Sequence, residues 1–452
     1  MSELWMWMNG ERVGRWRRGR TGRHLFTYEA SWLASPRVRP LSLSMPITPG
    51  RTVEGDAVGH FFDNLLPDDE RIRRRLSTRF RTKGAEAFEL LQTIGRDCVG
   101  AVQLLPPEQK PEGYDRLAYE TLTEAEVEAI LQGVTAEVGL GGHEDDDDFR
   151  FSIAGAQEKT ALLRVDGQWC RPKGATPTTH ILKLPLGLVG GRRLDLSHSV
   201  ENEWLCAQIL AELGLPVAHA EIGRFGSQKA LVVERFDRQF MDGDWIARLP
   251  QEDFCQALGV ASGNKYEAHG GPGMADCLKV LSGSQVPQSD GQMFLRSQLA
   301  FWLLAATDGH AKNFSIFLLQ DDRYRLTPLY DVVSAWPVIG DGPNQVPWQK
   351  ARLAMAVRSK NAHYRLGEIQ PRHWQQLARK SGVDGAWEAM VAMIDKVEVV
   401  IEAVSQKLPP AFPIRVAEKI FAGVRTQAKV FREGMSSPRE ARRSGLSVQT
   451  RT

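Results

Sequence analysis

The stretch "TDGHAKNFS", residues 307–315, sets an acid, a histidine, a lysine and an asparagine within seven positions, directly after the apolar run "LAFWLLAA", residues 299–306. A run of that kind is buried, and polar groups at its end must be hydrogen-bonded or held there for use. Asp308, Lys312 and Asn313 are the groups to follow, because an acid, a cation and an amide at short spacing suit phosphate and metal chemistry. His310 leaves two readings open, a structural hydrogen bonder in a tight turn or a group that braces the loop against phosphate. A Ser-His-Asp hydrolase is not supported, since no G-x-S-x-G elbow accompanies these residues.

Asp308 and Asn313 have the D-x-x-x-x-N spacing of a protein-kinase catalytic loop, where the acid orients an acceptor hydroxyl and the amide oxygen holds a metal ion. Eighteen positions beyond Asn313, "LTPLYDVVSA" ends an apolar run at Asp331, a suitable second metal ligand. Upstream, "TTHILKLPLG" puts Lys183 inside an apolar strand. A lysine there is costly unless paired, and its economical partners are a phosphate and a helix carboxylate; a snorkelling lysine on an edge strand is the alternative. The following helix offers Glu203, which shares a face with Ala207 and Leu210, and helical geometry alone does not exclude Glu201. "FRFSIAGAQEKTALLRVDGQWC" reads as strand, small-residue turn, strand, Asp166-Gly167 turn, strand. Ala154, Gly155 and Ala156 would let backbone N–H groups approach a phosphate, although an ordinary hairpin turn has the same composition. "KALVVERFDR" reads as a buried strand ending at Glu234, Arg235 and Phe236.

Composition sets the frame. The chain has 452 residues, 42% hydrophobic and 25% charged, with a formal net charge of +2. It is long enough for about three domains, and its charge balance gives no global mandate for nucleic acid. The basic cluster "GRWRRGRTGRH" fits a solvated loop or a phosphate contact. Five scattered cysteines, Cys98, Cys170, Cys206, Cys255 and Cys277, are expected to be reduced thiols of a cytosolic protein. A polar N-terminus and the want of a long apolar stretch argue against secretion and membrane insertion.

The expected organisation is a β-rich unit over 1–110, a second unit over 111–237, a mostly helical unit over 238–430 and a basic, disordered tail over 431–452. The first unit holds a hairpin at Asn9-Gly10, an alternating "RPLSLSMPI" and a helical "VGHFFDNLLPDDERIRRRL". Thr123 caps a helix, and the helix of "SHSVENEWLCAQILAELG" stops at Gly214. The acidic run Glu144 to Asp148 is read as a solvated loop, since single-file aspartates do not by themselves enclose an ion.

At "FRFSIAGAQEKTALL", "TPTTHILKLP", "VVERFDR", "ATDGHAKNFS" and "LTPLYDVVSAWP" the chain resembles the HipA family of bacterial serine/threonine kinases, toxins of type II toxin-antitoxin pairs. The likeness extends through "MNGERVG", "RPLSLSMP", "FFDNLLPD", "IGRDCVGAV" and "LPQEDFCQALG". It implies an α+β, two-lobed kinase fold with an N-terminal β-rich domain, and the use of ATP and Mg2+. It assigns Asp308 as catalytic acid–base with Lys312 assisting, Asn313 and Asp331 as metal ligands, Lys183 at the α-phosphate with Glu203 as its ion-pair partner, and Glu234, Arg235 and Phe236 at adenine. The nucleotide would also meet Ala154, Gly155, Ala156, Gln157, Glu158 and Lys159 of the phosphate loop, together with His310 and Tyr330. Ser152 matches the family's self-phosphorylated serine; a phosphate there would add about two negative charges where the γ-phosphate must sit. The implied substrate is an aminoacyl-tRNA synthetase, typically glutamyl-tRNA synthetase. The implied partners are a HipB-like helix-turn-helix antitoxin and, through it, operator DNA, with Arg379 and Lys380 a loose match to DNA-facing residues; the implied location is the cytoplasm and nucleoid. A small-molecule phosphotransferase and a silent co-repressor are the rival readings.

Overall fold

The computed structural model describes residues 2–19, 21–135, 152, 157–191, 193–242 and 244–436. The N-terminal unit is a five-stranded antiparallel sheet in the order Thr52–Glu54, His24–Tyr28, Glu11–Arg18, Ser2–Met8, Gln103–Leu105. Its first hairpin turns at Asn9 and Gly10, both at positive φ (42° and 80°), as a two-residue turn matched to strand twist requires. One sheet face packs Leu4, Met6, Trp16 and Phe26 against helices Asp56–Asp63 and Ala87–Ile94.

"RPLSLSMPI" departs from its expected alternation. It is a turn with a single bridge between Ser42 and Met45. The hydroxyls of Ser42 and Ser44 both donate to the Gln256 carbonyl, and such side-chain-to-backbone bonds compete with a strand ladder. "VGHFFDNLLPDDERIRRRL" is two helices rather than one, separated around Pro67 and restarted by Asp69, whose carboxylate accepts from the Arg71 amide.

The middle of the chain forms a six-stranded sheet in the order Ala220–Phe225, Gln228–Glu234, His180–Lys183, Lys159–Val165, Gln168–Pro172, Tyr119–Thr121. Thr123 and Glu126 form a reciprocal capping box at the start of helix Glu124–Thr135. Helix Ser199–Glu212 packs against the strands and ends at Gly214, φ +74°.

The last unit is built on helix Pro287–Leu304, whose C-terminal end Leu299–Leu304 is apolar all round and buried in the largest core with Phe294, Trp302, Trp374 and Phe431. It ends at Ala305 in a left-handed conformation, φ 49°. A three-stranded sheet, Gln251–Asp253, Ser315–Leu318 and Tyr324–Leu326, flanks the loop that follows. The final helix runs Ile414–Ser436 and buries Phe431 completely, so residues 431–436, expected in a disordered tail, are helical, one aromatic anchoring them to the core; the rest of that tail lies outside the described residues. All five cysteines are free and buried.

Candidate active site

The cleft between the six-stranded sheet and the helical unit holds about 1020 Å³ of empty space including its open mouth. Lys183 lies in its wall, donating to Glu203 Oε1 at 2.6 Å and Asp331 Oδ1 at 2.8 Å. Burial alone would lower the lysine pKa, but Asp331 and Glu203 carry it above its ordinary value, so the ammonium is charged. Asp331 is likewise held well below the usual carboxylate range: burial opposes ionisation, and Lys183 and then Lys159 overcome it. Its backbone sits at φ 60°, an uncommon conformation for a residue other than glycine. Glu203 is the buried partner of Lys183, whereas Glu201 turns to Lys229 at 2.6 Å.

Lys159 stands directly opposite Lys183 in the strand ladder and lines the same cleft. Burial first, then the neighbouring Lys183, lowers its pKa to about 8. Two lysines side by side mark this wall as a place for anionic groups.

The loop after the long helix is a 3-10 turn, Ala311–Asn313. Gly309 belongs in it because a Cβ would collide with the Phe301 ring of the supporting helix. Asn313 Nδ2 donates to the Asp308 carbonyl at 2.8 Å, which leaves the amide oxygen available to a cation. The Asp308 side chain opens to the cleft, 64% exposed, and its Oδ1 accepts from the Tyr266 hydroxyl. His310 is buried, with a pKa pushed down to about 3 by burial first and Lys265 second, so it is a neutral imidazole. Its Nδ1 has no partner among the described residues, an orphan at the cleft wall. Tyr330 braces the loop from below, its hydroxyl donating to the Lys312 carbonyl at 2.9 Å.

Some candidates stand elsewhere. Ala154, Gly155 and Ala156, like the acidic run, lie outside the described residues. Gln157 donates to the Leu184 carbonyl at 2.5 Å, and Glu158 pairs with Arg75 of the N-terminal unit. Ser152 is buried, its Oγ donating to the Leu65 carbonyl at 2.8 Å. Glu234, Arg235 and Phe236 line the cleft. The amides of Glu234 and Arg235 are spent on the carbonyls of His219 and Thr179, and the Arg235 guanidinium is buried against Asp97 and Asp237. Arg379 and Lys380 end helix Pro371–Lys380, away from the cleft lining.

The sequence reading missed what the N-terminal unit contributes. Asn64, Leu65, Asp68 and Val99 line the cleft. Asp68 accepts from Lys312 at 2.6 Å and from Lys265 at 2.7 Å, and burial notwithstanding these two ammonium groups hold its pKa at about 2. Asp253, whose pKa burial raises to about 6, and Tyr266 were missed as well. The available signal was the polar residues Asp63, Asn64 and Asp68 set among the apolar ones of "FFDNLLPD".

A family model for the HipA-like C-terminal domain matches residues 151–407, more than half of the chain. The chain belongs to the HipA family. A model for the HipA N-terminal domain matches residues 4–105. Over 383 residues the chain is 34% identical to "Putative kinase Y4mE" of Sinorhizobium fredii, covering 84% of this chain and 85% of that protein. It is 30% identical over 308 residues to the serine/threonine-protein kinase toxin HipA of Shewanella oneidensis, covering 65% and 66%. In three dimensions it superposes on the HipA chain of a Shewanella oneidensis toxin–antitoxin complex of HipA, HipB and operator DNA, with a TM-score of 0.79 at 23% identity over 98% of this chain and 100% of that one. The fold is α+β and two-lobed, kinase-like, as the HipA resemblance implied. Among the described residues no helix is long and apolar enough to cross a membrane.

Proposed function

We propose that this HipA-family chain is an ATP-dependent serine/threonine protein kinase with Asp308 as its acid–base. The observation that carries the reading is Lys183 held between Glu203 and Asp331 in a cleft whose opposite wall is the Asp308–Asn313 loop. Lys183 and Lys159 bind and orient the phosphates, and the Phe236 amide with the carbonyls of the Glu234–Phe236 segment takes adenine. Among the described residues no cluster of three or more His, Cys, Asp or Glu could hold a metal ion by itself. Asn313 and Asp331 supply only two oxygens, a set that fits Mg2+, which keeps waters and takes phosphate oxygens for the rest. Bound there, Mg2+ would neutralise charge on the phosphates. Asp308 orients the acceptor hydroxyl and receives its proton; Lys312, on the same loop, offsets charge at the transferring phosphoryl group.

The acceptor in this proposal is a serine of an aminoacyl-tRNA synthetase, glutamyl-tRNA synthetase in the first instance, so that transfer halts translation. Ser152 is a second acceptor, and its phosphorylation displaces the phosphate loop and silences the enzyme, since the buried Ser152 site has no room for a dianion. The partners are a HipB-like antitoxin and operator DNA, which the Shewanella complex names for its own chain. The location in this proposal is the cytoplasm and, with those partners bound, the nucleoid.

Incubation with Mg-ATP followed by mass spectrometry tests the reading. Phosphate is expected on Ser152 and on added glutamyl-tRNA synthetase with the wild-type chain, and on neither with Asp308→Ala. Phosphate on neither protein in the wild-type sample would overturn it.

A further inference from the structure

Three consecutive residues, Lys265, Tyr266 and Glu267, tie together three distant parts of the molecule. Lys265 Nζ donates to Asp68 Oδ2 of the N-terminal unit at 2.7 Å. The Tyr266 hydroxyl donates to Asp308 Oδ1. Glu267 accepts from the Ala356 amide at 2.6 Å and from Arg358 Nε at 2.7 Å, which fastens it to strand Arg352–Arg358. Asp68 in turn accepts from Lys312 at 2.6 Å, so the contacts close a ring: Asp308, Tyr266, Lys265, Asp68, Lys312 and back along the catalytic loop.

The segment is built to stay where it is. It runs from the end of one 3-10 turn, Ser262–Asn264, into the start of the next, Glu267–His269. The Tyr266 carbonyl accepts from the amides of His269 and Gly271, both at 3.0 Å. Gly270 takes φ +86°, and a Cβ on Gly271 would strike the Asn264 carbonyl oxygen. The Tyr266 ring stands edge-on to His310 with centroids 5.0 Å apart.

A carboxylate on an open cleft wall has free rotation about its last bond. A hydroxyl fixed on one oxygen removes that freedom and leaves Oδ2 to meet the acceptor. We infer that Lys265-Tyr266-Glu267 is a positioning segment, in which Tyr266 orients the Asp308 carboxylate for proton transfer and Asp68 makes the N-terminal unit part of that support. The inference rests on Asp308 being the acid–base. Displacement of Tyr266 by the acceptor, the opposite role, does not suit a residue anchored on both sides by ion pairs.

The test is the initial rate of 32P incorporation into the full-length chain from γ-labelled Mg-ATP, over a range of ATP concentrations. Tyr266→Phe keeps the ring and removes the donor. Its kcat is expected to fall about tenfold, less than the roughly hundredfold or more that the acid–base itself contributes, because the carboxylate remains and only its orientation is lost, with KM for ATP and the thermal midpoint unchanged. Lys265→Met, which frees the segment from Asp68, is expected to lower kcat in the same direction with KM again unchanged. An unchanged kcat in Tyr266→Phe would overturn the inference; so would a raised kcat, which would mark the tyrosine as a plug. Wild-type-like incorporation by Asp308→Ala would instead overturn the acid–base reading and the inference with it.

Discussion

Lys183 is the residue on which the proposed chemistry turns, and its environment explains how a buried lysine is held there. A buried ammonium is unfavourable by itself, and two carboxylates, at 2.6 and 2.8 Å, compensate it. Lys183→Met removes the shared cation and leaves Glu203 and Asp331 without it in a buried site. ATP-dependent phosphoryl transfer is expected to fall at least about a hundredfold, the scale of losing one preorganised donor, measured by label incorporation. Glu201→Gln, which disturbs only the Lys229 pair, is expected to keep the wild-type rate. His310, by contrast, is held as a neutral ring, so it brings no second cation to the loop.

At the scale of elements, the short strand Gln251–Asp253 joins the N-terminal unit to the Asp308–Asn313 loop. Glu252 is fully buried, accepts from the Leu43 amide at 2.9 Å, and its other oxygen has no partner among the described residues. Burial pushes its pKa up to about 8. The folded state therefore holds a proton that the unfolded chain has already released between the ordinary carboxylate range and pH 8. Stability must fall as pH rises across that window and level off above it. The urea midpoint of the wild type is expected to be lower at pH 9 than at pH 6, and that of Glu252→Gln to change much less. Equal slopes in the two proteins would mean that another group carries the effect. The same region shows why "RPLSLSMPI" is a turn despite its alternation: its serines bond to Gln256, more than two hundred positions away, and no local pattern reports that.

At the scale of the whole molecule, the N-terminal unit is held to Arg235, Arg238 and Arg248 by a buried ionic network. Asp97 faces Arg235 at 3.4 Å, Arg238 at 2.9 Å and Arg248 at 3.1 Å, while Asp237 pairs with Arg235 and Arg238. Burial works against the Asp97 charge, but the three guanidiniums keep its pKa well below the usual range. Its contribution is present above the unfolded carboxylate pKa and is lost as pH falls through the folded one. Asp97→Asn leaves three buried guanidiniums short of one counter-charge and is expected to destabilise the protein by about 3 kcal/mol, measured by denaturant unfolding at pH 7. A variant as stable as the wild type would show that the network does not hold the units together.

The sequence by itself determined the local parts. An apolar helix followed by Asp308, Lys312 and Asn313 at fixed spacing, a lysine in a strand, the turns at Asn9-Gly10 and Asp166-Gly167, and the stop at Gly214 depend on neighbours a few residues apart, where helical and strand periods fix geometry. Only the tertiary structure decided the pairings. Glu203 rather than Glu201 meets Lys183 because of how the helix is rotated against the sheet, a phase that packing sets. Asp68 reaches Lys312 across 244 positions and Asp97 reaches Arg248 across 151, and nothing in either local sequence names its partner. Charges choose one another through space, and the fold supplies the distances over which that choice is made.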